Sequence, residues 1–210
     1  MTGPARPRSR EDAFLSNIVF LWLAALPLLG SPGPATMGIA GMGAAYGARR
    51  GLVFTAGVCC GTTTVLVLVA SGVTAALLAV PGLREVIIVA AIAYMIYLAY
   101  RIASAPPLGS RPHGARAPSF PGGYFLAIAN PKAYAVLGAL FSSHLLVAGD
   151  PLGDAALKVA ALVVVIAVVN TIWLCLGALV AKALSDPRRG RIANLLFAAA
   201  LLLSVALALI

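Results

Sequence analysis

Along the chain, long apolar runs alternate with short polar turns. Six runs approach or exceed the roughly 20 residues a helix needs to cross about 30 Å of hydrocarbon. They are Phe14–Tyr46, Leu52–Val80, Val86–Ala103, Gly123–Val147, Ala155–Ala183 and Ile192–Ile210. The pattern predicts an all-α membrane protein with six transmembrane helices. The first run is too long for one straight crossing and is interrupted at Ser31-Pro32-Gly33-Pro34; the fourth is interrupted at Asn130-Pro131-Lys132. Proline lacks the amide proton and clashes with the preceding turn, so each interruption predicts a broken helix.

The breaks occupy corresponding places in the two halves. Each half holds an odd number of crossings, so equivalent halves lie inverted in the membrane, and paired interruptions in inverted repeats point to a transport site near the midplane. The expected organisation is an N-terminal tail over 1–13, a three-helix repeat over 14–104, a cytoplasmic linker over 105–122 and a second three-helix repeat over 123–210. Irregular backbone survives at membrane depth only when buried in protein or lining a cavity. Ser31-Pro32 and Asn130-Pro131 each read as an N-cap followed by proline at the first helical position. Each then restarts a half-helix whose free amides and positive dipole end suit a carboxylate. The plainer alternative is that the prolines only kink packed helices.

Composition agrees. Of 210 residues, 61% are hydrophobic and 10% charged, with mean hydropathy +1.01, against about 25% charged in soluble domains. The lipid bilayer is therefore the first expected partner. The formal charge of +9 is spread over the turns rather than gathered in a basic stripe, so no nucleic-acid partner is expected. Basic residues in short loops mark the cytoplasmic side. Arg49, Arg50, Arg101, Arg111, Arg116, Lys182, Arg188, Arg189 and Arg191 follow runs one, three and five, whereas Arg84 and Lys158 follow runs two and four beside Glu85, Asp150 and Asp154. Both termini are therefore expected outside a bacterial cytoplasmic (inner) membrane, although Arg6, Arg8 and Arg10 in the tail vote the other way. That tail resembles the outline of a signal peptide but has no small-x-small cleavage pattern, so it is expected to stay. No phosphate-cradling loop, nucleophile elbow or paired catalytic carboxylates occur. The chain thus reads as a secondary carrier, neither an enzyme nor the holder of a cofactor.

At these positions the sequence resembles the LysE/RhtB family of amino-acid exporters. The resemblance rests on Pro32-Gly33-Pro34, the turn from Gly47 to Gly51, Gly57 and Gly61, the stretch from Tyr94 through Tyr97 and Tyr100 to Arg101, and Asn130-Pro131-Lys132-Ala133. It implies proton-driven efflux of amino acids or close derivatives. Many members carry an acidic residue just after Pro-Gly-Pro, where this chain has Ala35 and Thr36.

The expected substrate-binding residues are Ser31, Pro32, Gly33, Pro34, Asn130, Pro131, Lys132 and Asn170. Lys132 stands deep in an apolar run, where a cation is costly and functional by default. It is the proton-coupling candidate; its structural alternative is to bind carbonyls freed at the break in the fourth run. Thr171 and Trp173 accompany Asn170 as cavity candidates. Tyr97, Tyr100 and Arg101 read as an interfacial belt, and His144 as a polar end residue. The four-residue spacing of Gly43 and Gly47, and of Gly57 and Gly61, permits close helix approach within one chain or in a homodimer. Cys59, Cys60 and Cys175 lie in apolar runs, which suits packing better than a disulfide framework. They leave two rivals, a metal-ion exporter and a carrier of thiol reducing equivalents, though no Cys-x-x-Cys supports reactivity.

Overall fold

A computed structural model describes residues 10–73, 81–105, 119–183 and 186–208. The N-terminal arginines Arg6 and Arg8, the end of the second run and most of the 105–122 linker, with Arg111 and Arg116, lie outside the described residues. Every element among the described residues is a helix. In chain order these are α1 (Arg10–Gly30), α2 (Pro34–Tyr46), α3 (Ala48–Ala70), α4 (Leu83–Ala103), α5 (Phe120–Ile128), α6 (Pro131–Ser143), α7 (Pro151–Ala183) and α8 (Pro187–Ala208). Helices α3, α7 and α8 are long and apolar enough to cross a membrane, and so are the bent pairs α1–α2 and α5–α6 if each counts as one span. In α4 the apolar part is shorter, Ile88–Ala103.

Both breaks fall where the prolines placed them. The axis turns by 64° between α1 and α2 and by 63° between α5 and α6. Each broken pair crosses to the other half: α2 and α1 pack on α7, α5 and α6 pack on α3, and α4 packs on α8. Helix α2 is the centre of the molecule. Its sequence is small and apolar on every side, and all of its residues but Ala35 are buried. A helix with no polar face is a helix surrounded by protein.

Glycines set the tightest crossings. A Cβ added at Gly177 would strike the backbone of Ala40, and one at Gly43 the backbone of Leu174, so α2 and α7 approach reciprocally. Gly57 and Gly123 do the same for α3 and α5, and a Cβ at Gly61 would sit 2.6 Å from the Tyr124 carbonyl. Gly43, Gly57 and Gly61 thus join helices within the chain. Gly47 has a different task, the turn between α2 and α3, where its φ of 77° excludes most side chains.

The buried apolar side chains form two cores. One gathers Met37 to Tyr46 of α2, Phe54 and Val58 of α3, Leu126 of α5 and Leu174 of α7, with parts of α4 and α8. The other gathers Leu21 and Ala25 of α1, Val65 and Leu66 of α3, Leu137 and Leu140 of α6, and residues 161–169 of α7. Four spans pass from one core to the other at the same level. Two are broken there, and the other two carry Thr62 and Asn170, both buried.

Lys158 is not the loop charge its sequence neighbourhood suggests. It lies on the second turn of α7, buried, with Nζ 2.7 Å from the Asp154 carboxylate. It also donates to the Phe141 carbonyl at 2.9 Å, while Asp154 accepts from the amides of Leu146 and Val147 at 2.6 and 3.0 Å. The pair satisfies the backbone groups left open where α6 ends, which explains two buried charges at that corner.

Candidate functional site

The site grows from what two interrupted helices leave unpaired. At the end of α1, the last carbonyls need donors. Pro27 O accepts from the Ser31 amide at 2.9 Å and Leu28 O from the Ser31 hydroxyl at 2.9 Å. Gly30 O accepts from the Trp173 indole at 3.0 Å. The carbonyls of the break itself are met chiefly from the other half of the molecule, with the Thr36 hydroxyl also reaching Ser31 O at 3.3 Å. Lys132 Nζ donates to Ser31 O at 2.7 Å, to Ser31 Oγ at 2.7 Å and, more loosely, to Pro32 O at 3.4 Å. An ammonium has three protons to give, and all three have acceptors. The C-terminal dipole end of α1 adds to the attraction.

Lys132 is held in reach by the second break. Asn130 caps α6, its side chain accepting from the Lys132 amide at 3.2 Å, with Pro131 at the first helical position. Here the expected cap is the observed one. The first break differs. The cap of α2 is Gly33 and its first residue Pro34; the Ser31 hydroxyl instead faces back to Leu28 and across to Lys132. Of the two prolines only the second can start the helix, since Pro34 holds the residue before it, Gly33, in an extended backbone that a helix begun at Pro32 could not pass through. Thr36, at the third helical position, accepts from the Gly33 amide at 2.8 Å. That is the return bond a Glu or Gln makes in a capping box, so Thr36 fills the cap without an acidic side chain after Pro-Gly-Pro.

Between the two breaks lies a cleft of about 40 Å³, space for about three to four waters on the scale of about 10–15 Å³ each. Gly33, Thr36, Asn130, Lys132, Asn170 and Thr62 supply its polar lining, and Leu29, Val136, Ile166 and Val169 are among its apolar walls. Lys132 is the charged member of this lining. Three of its polar side chains have capacity to spare. The Thr62 hydroxyl is buried with no protein partner among the described residues. Asn170 has one weak bond, to Cys59 Sγ at 3.4 Å, and Asn130 uses only its oxygen. Buried polar groups without partners are uncommon and ask for an explanation.

Of the expected site residues, Gly33, Asn130, Lys132 and Asn170 line the cleft, and Ser31 and Pro32 take part through the atoms that hold Lys132. Pro34 and Pro131 act as first residues of their half-helices. Lys132 binds carbonyls of the first break, not of the fourth run's own break. Thr171 turns outward and bonds its own helix at Ala167 O, 2.7 Å. Thr62 and the Asp154–Lys158 pair went unread in the sequence, although the Thr62-Thr63-Thr64 cluster inside an apolar run and the four-residue spacing of Asp154 and Lys158 were both visible.

The other candidates stand apart. Tyr97 and Tyr100 are exposed at the end of α4, and Arg101 donates to Tyr97 Oη at 2.7 Å. With Tyr94 and Ser119, Tyr97 and Arg101 border a second cavity of about 250 Å³, larger than the cleft, but Tyr94 already donates to Gly122 O. His144 ends α6, its ring Nδ1 2.9 Å from the Ser143 hydroxyl. Cys60 and Cys175 are exposed and Cys59 is partly buried, all three free. No group of three or more His, Cys, Asp or Glu stands together among the described residues.

A family model described as LysE type translocator matches residues 26–210, from before the first break to the end of the chain. No curated protein and no solved structure matches it.

Proposed function

The chain belongs to the LysE type translocator family, a multi-pass membrane transporter, and from that premise we propose that it is a secondary carrier exporting amino acids or close derivatives from the cytoplasm in exchange for protons. The observation that carries this reading is the bond between breaks: an ammonium from the second half seated on carbonyls of the first, at 2.7 Å. Such a contact ties together the two elements that must move relative to one another for alternating access. An amino acid suits the surroundings on both of its charges. The carbonyl end of α1 attracts an ammonium, and the first turn of α2 offers the amides of Ala35 and Thr36 to a carboxylate.

Both termini lie outside the inner membrane in this reading, with six crossings in two inverted repeats. Removing Lys158 from the loop tally, since Asp154 neutralises it within the fold, strengthens the charge asymmetry behind that orientation. The direct test is efflux from cells preloaded with a panel of basic, hydroxylated, branched and sulfur amino acids. Expression is expected to raise the efflux of one class several-fold, with collapse of the proton gradient removing the gain. Reporters fused near Arg49 and Gly153 are expected to read cytoplasm and outside respectively. A panel in which no solute leaves faster than from control cells contradicts the proposal.

A further inference from the structure

The cleft at the breaks has a seat for a cation, and it is occupied. Lys132 Nζ fills the space among Ser31 O, Ser31 Oγ and Pro32 O, and about 40 Å³ is left beside it. That residual space is too small for an amino acid. Around the seat are the groups a zwitterion would use: the amides of Ala35 and Thr36, which have no protein acceptor among the described residues, the unpaired Thr62 hydroxyl and the under-used Asn170 amide. An incoming solute must therefore make its room by moving Lys132, and its own ammonium is the one part that can replace what Lys132 gave those carbonyls.

Resting on the reading of this cleft as the transport site, we propose that the Lys132 ammonium occupies the seat of the substrate's primary ammonium, so that protonated Lys132 and bound substrate exclude one another. The exclusion couples the two fluxes. A proton arriving from outside adds to the neutral Lys132 amine; the resulting ammonium takes the carbonyl seat and releases the solute outward. After the carrier reorients, Lys132 loses that proton to cytoplasmic water and a solute ammonium enters in its place. One proton moves in for each solute moved out. The empty seat leaves Pro32 O without a donor and Ser31 O with only the Thr36 hydroxyl at 3.3 Å, which is costly in a low-dielectric interior, and that cost hinders reorientation without either passenger. The site therefore selects solutes carrying a primary ammonium next to a carboxylate. Among the described residues, no other residue lining the cleft from α1, α2, α3, α6 or α7 is an ordinary acid or base. Cys59 stands behind Asn170 at 3.4 Å, and Tyr134 neighbours Ala133 on α6.

The test uses the full-length protein in proteoliposomes, with L-threonine, L-lysine, L-leucine and L-cysteine as probes and the N-acetyl derivative of each as competitor. For the probe carried best, apparent affinity is expected to rise with pH, by up to about tenfold per unit while Lys132 holds its proton. N-acetylation is expected to abolish competition. Lys132→Met is expected to flatten the pH dependence and to lose proton-driven uphill transport, yet to keep substrate–substrate exchange; Lys132→Gln gives the same answer should the methionine variant fail to insert. Loss of exchange together with uphill transport, or equal competition by the N-acetyl derivative, overturns the exclusion while leaving the cleft as the site. Wild-type vesicles that move none of the four probes overturn the export reading and this inference with it.

Discussion

Gly33→Val is expected to cut export at least about tenfold at matched membrane abundance, the effect of losing about 1.4 kcal/mol. A Cβ at position 33 would lie 2.8 Å from Lys132 Cδ and 3.0 Å from Nζ, inside the van der Waals limit of both. The backbone itself is no obstacle, since Gly33 is extended at φ −172° and ψ 177°, outside the left-handed region that favours glycine. The substitution therefore acts on the space Lys132 occupies and not on the fold. Lys132 must leave carbonyls whose charge-assisted bonds are worth about 1.5–3 kcal/mol each, and the same methyl groups would keep a solute ammonium from the seat. Exchange is expected to fall together with uphill export, unlike in Lys132→Met. Gly30→Ala is the matched control: its Cβ would meet only Val169 Cγ2 at 4.0 Å, and export is expected to persist. Efflux by the two variants, normalised to the amount in the membrane, checks the pair.

Gly177→Leu is expected to remove most folded protein. The atoms a Cβ would meet there are the backbone of Ala40, which cannot rotate aside as a side chain can. Helices α2 and α7 would have to separate along their contact, exposing the buried sides of Met37 to Tyr46. Overpacking in an adaptable core costs about 1–3 kcal/mol; with backbone as the obstacle the cost is expected at or above the upper end. Gly57→Leu, aimed at Phe120 O across the α3–α5 crossing, is expected to behave alike. Gly138→Leu has no atom within 4 Å to meet and is expected to be neutral. Thermal midpoints of the detergent-extracted variants separate these outcomes.

The difference between these two glycine classes was not legible in the sequence. Four-residue spacing marks Gly43, Gly57 and Gly61 as close-approach residues, and the break marks Gly33 as a site residue, but nothing near Gly33 in the sequence shows that its missing side chain makes room for Lys132. Its importance comes from Lys132, about a hundred positions away in the chain, and no local pattern carries that pairing. The breaks themselves were legible because proline acts locally, and Asn130 was recognisable as a cap because a single proline follows it. Ser31 misled for the same reason, since two prolines in succession hand the start of the helix to the second. Lys158 misleads because the apolar run begins only at Ala155, which puts Lys158 at a loop edge; the four-residue spacing to Asp154 is visible, but it means an ion pair only once the helix is known to start at Pro151. Thr62 sits where α3 passes between two apolar cores, a level that exists only once the helices are packed.

The measurement that bears most directly on the cleft is substrate protection of single cysteines. In a background with Cys59, Cys60 and Cys175 replaced, Ala35→Cys and Ala133→Cys place one thiol on each side of the break-to-break contact. If this cleft is the transport site, both react with a small water-soluble thiol reagent, and the exported amino acid slows both reactions, whereas its N-acetyl derivative slows neither. Reaction at both positions with no protection by an amino acid that the protein demonstrably exports, and protection instead of a cysteine at Ser119 beside the second cavity, would contradict the assignment.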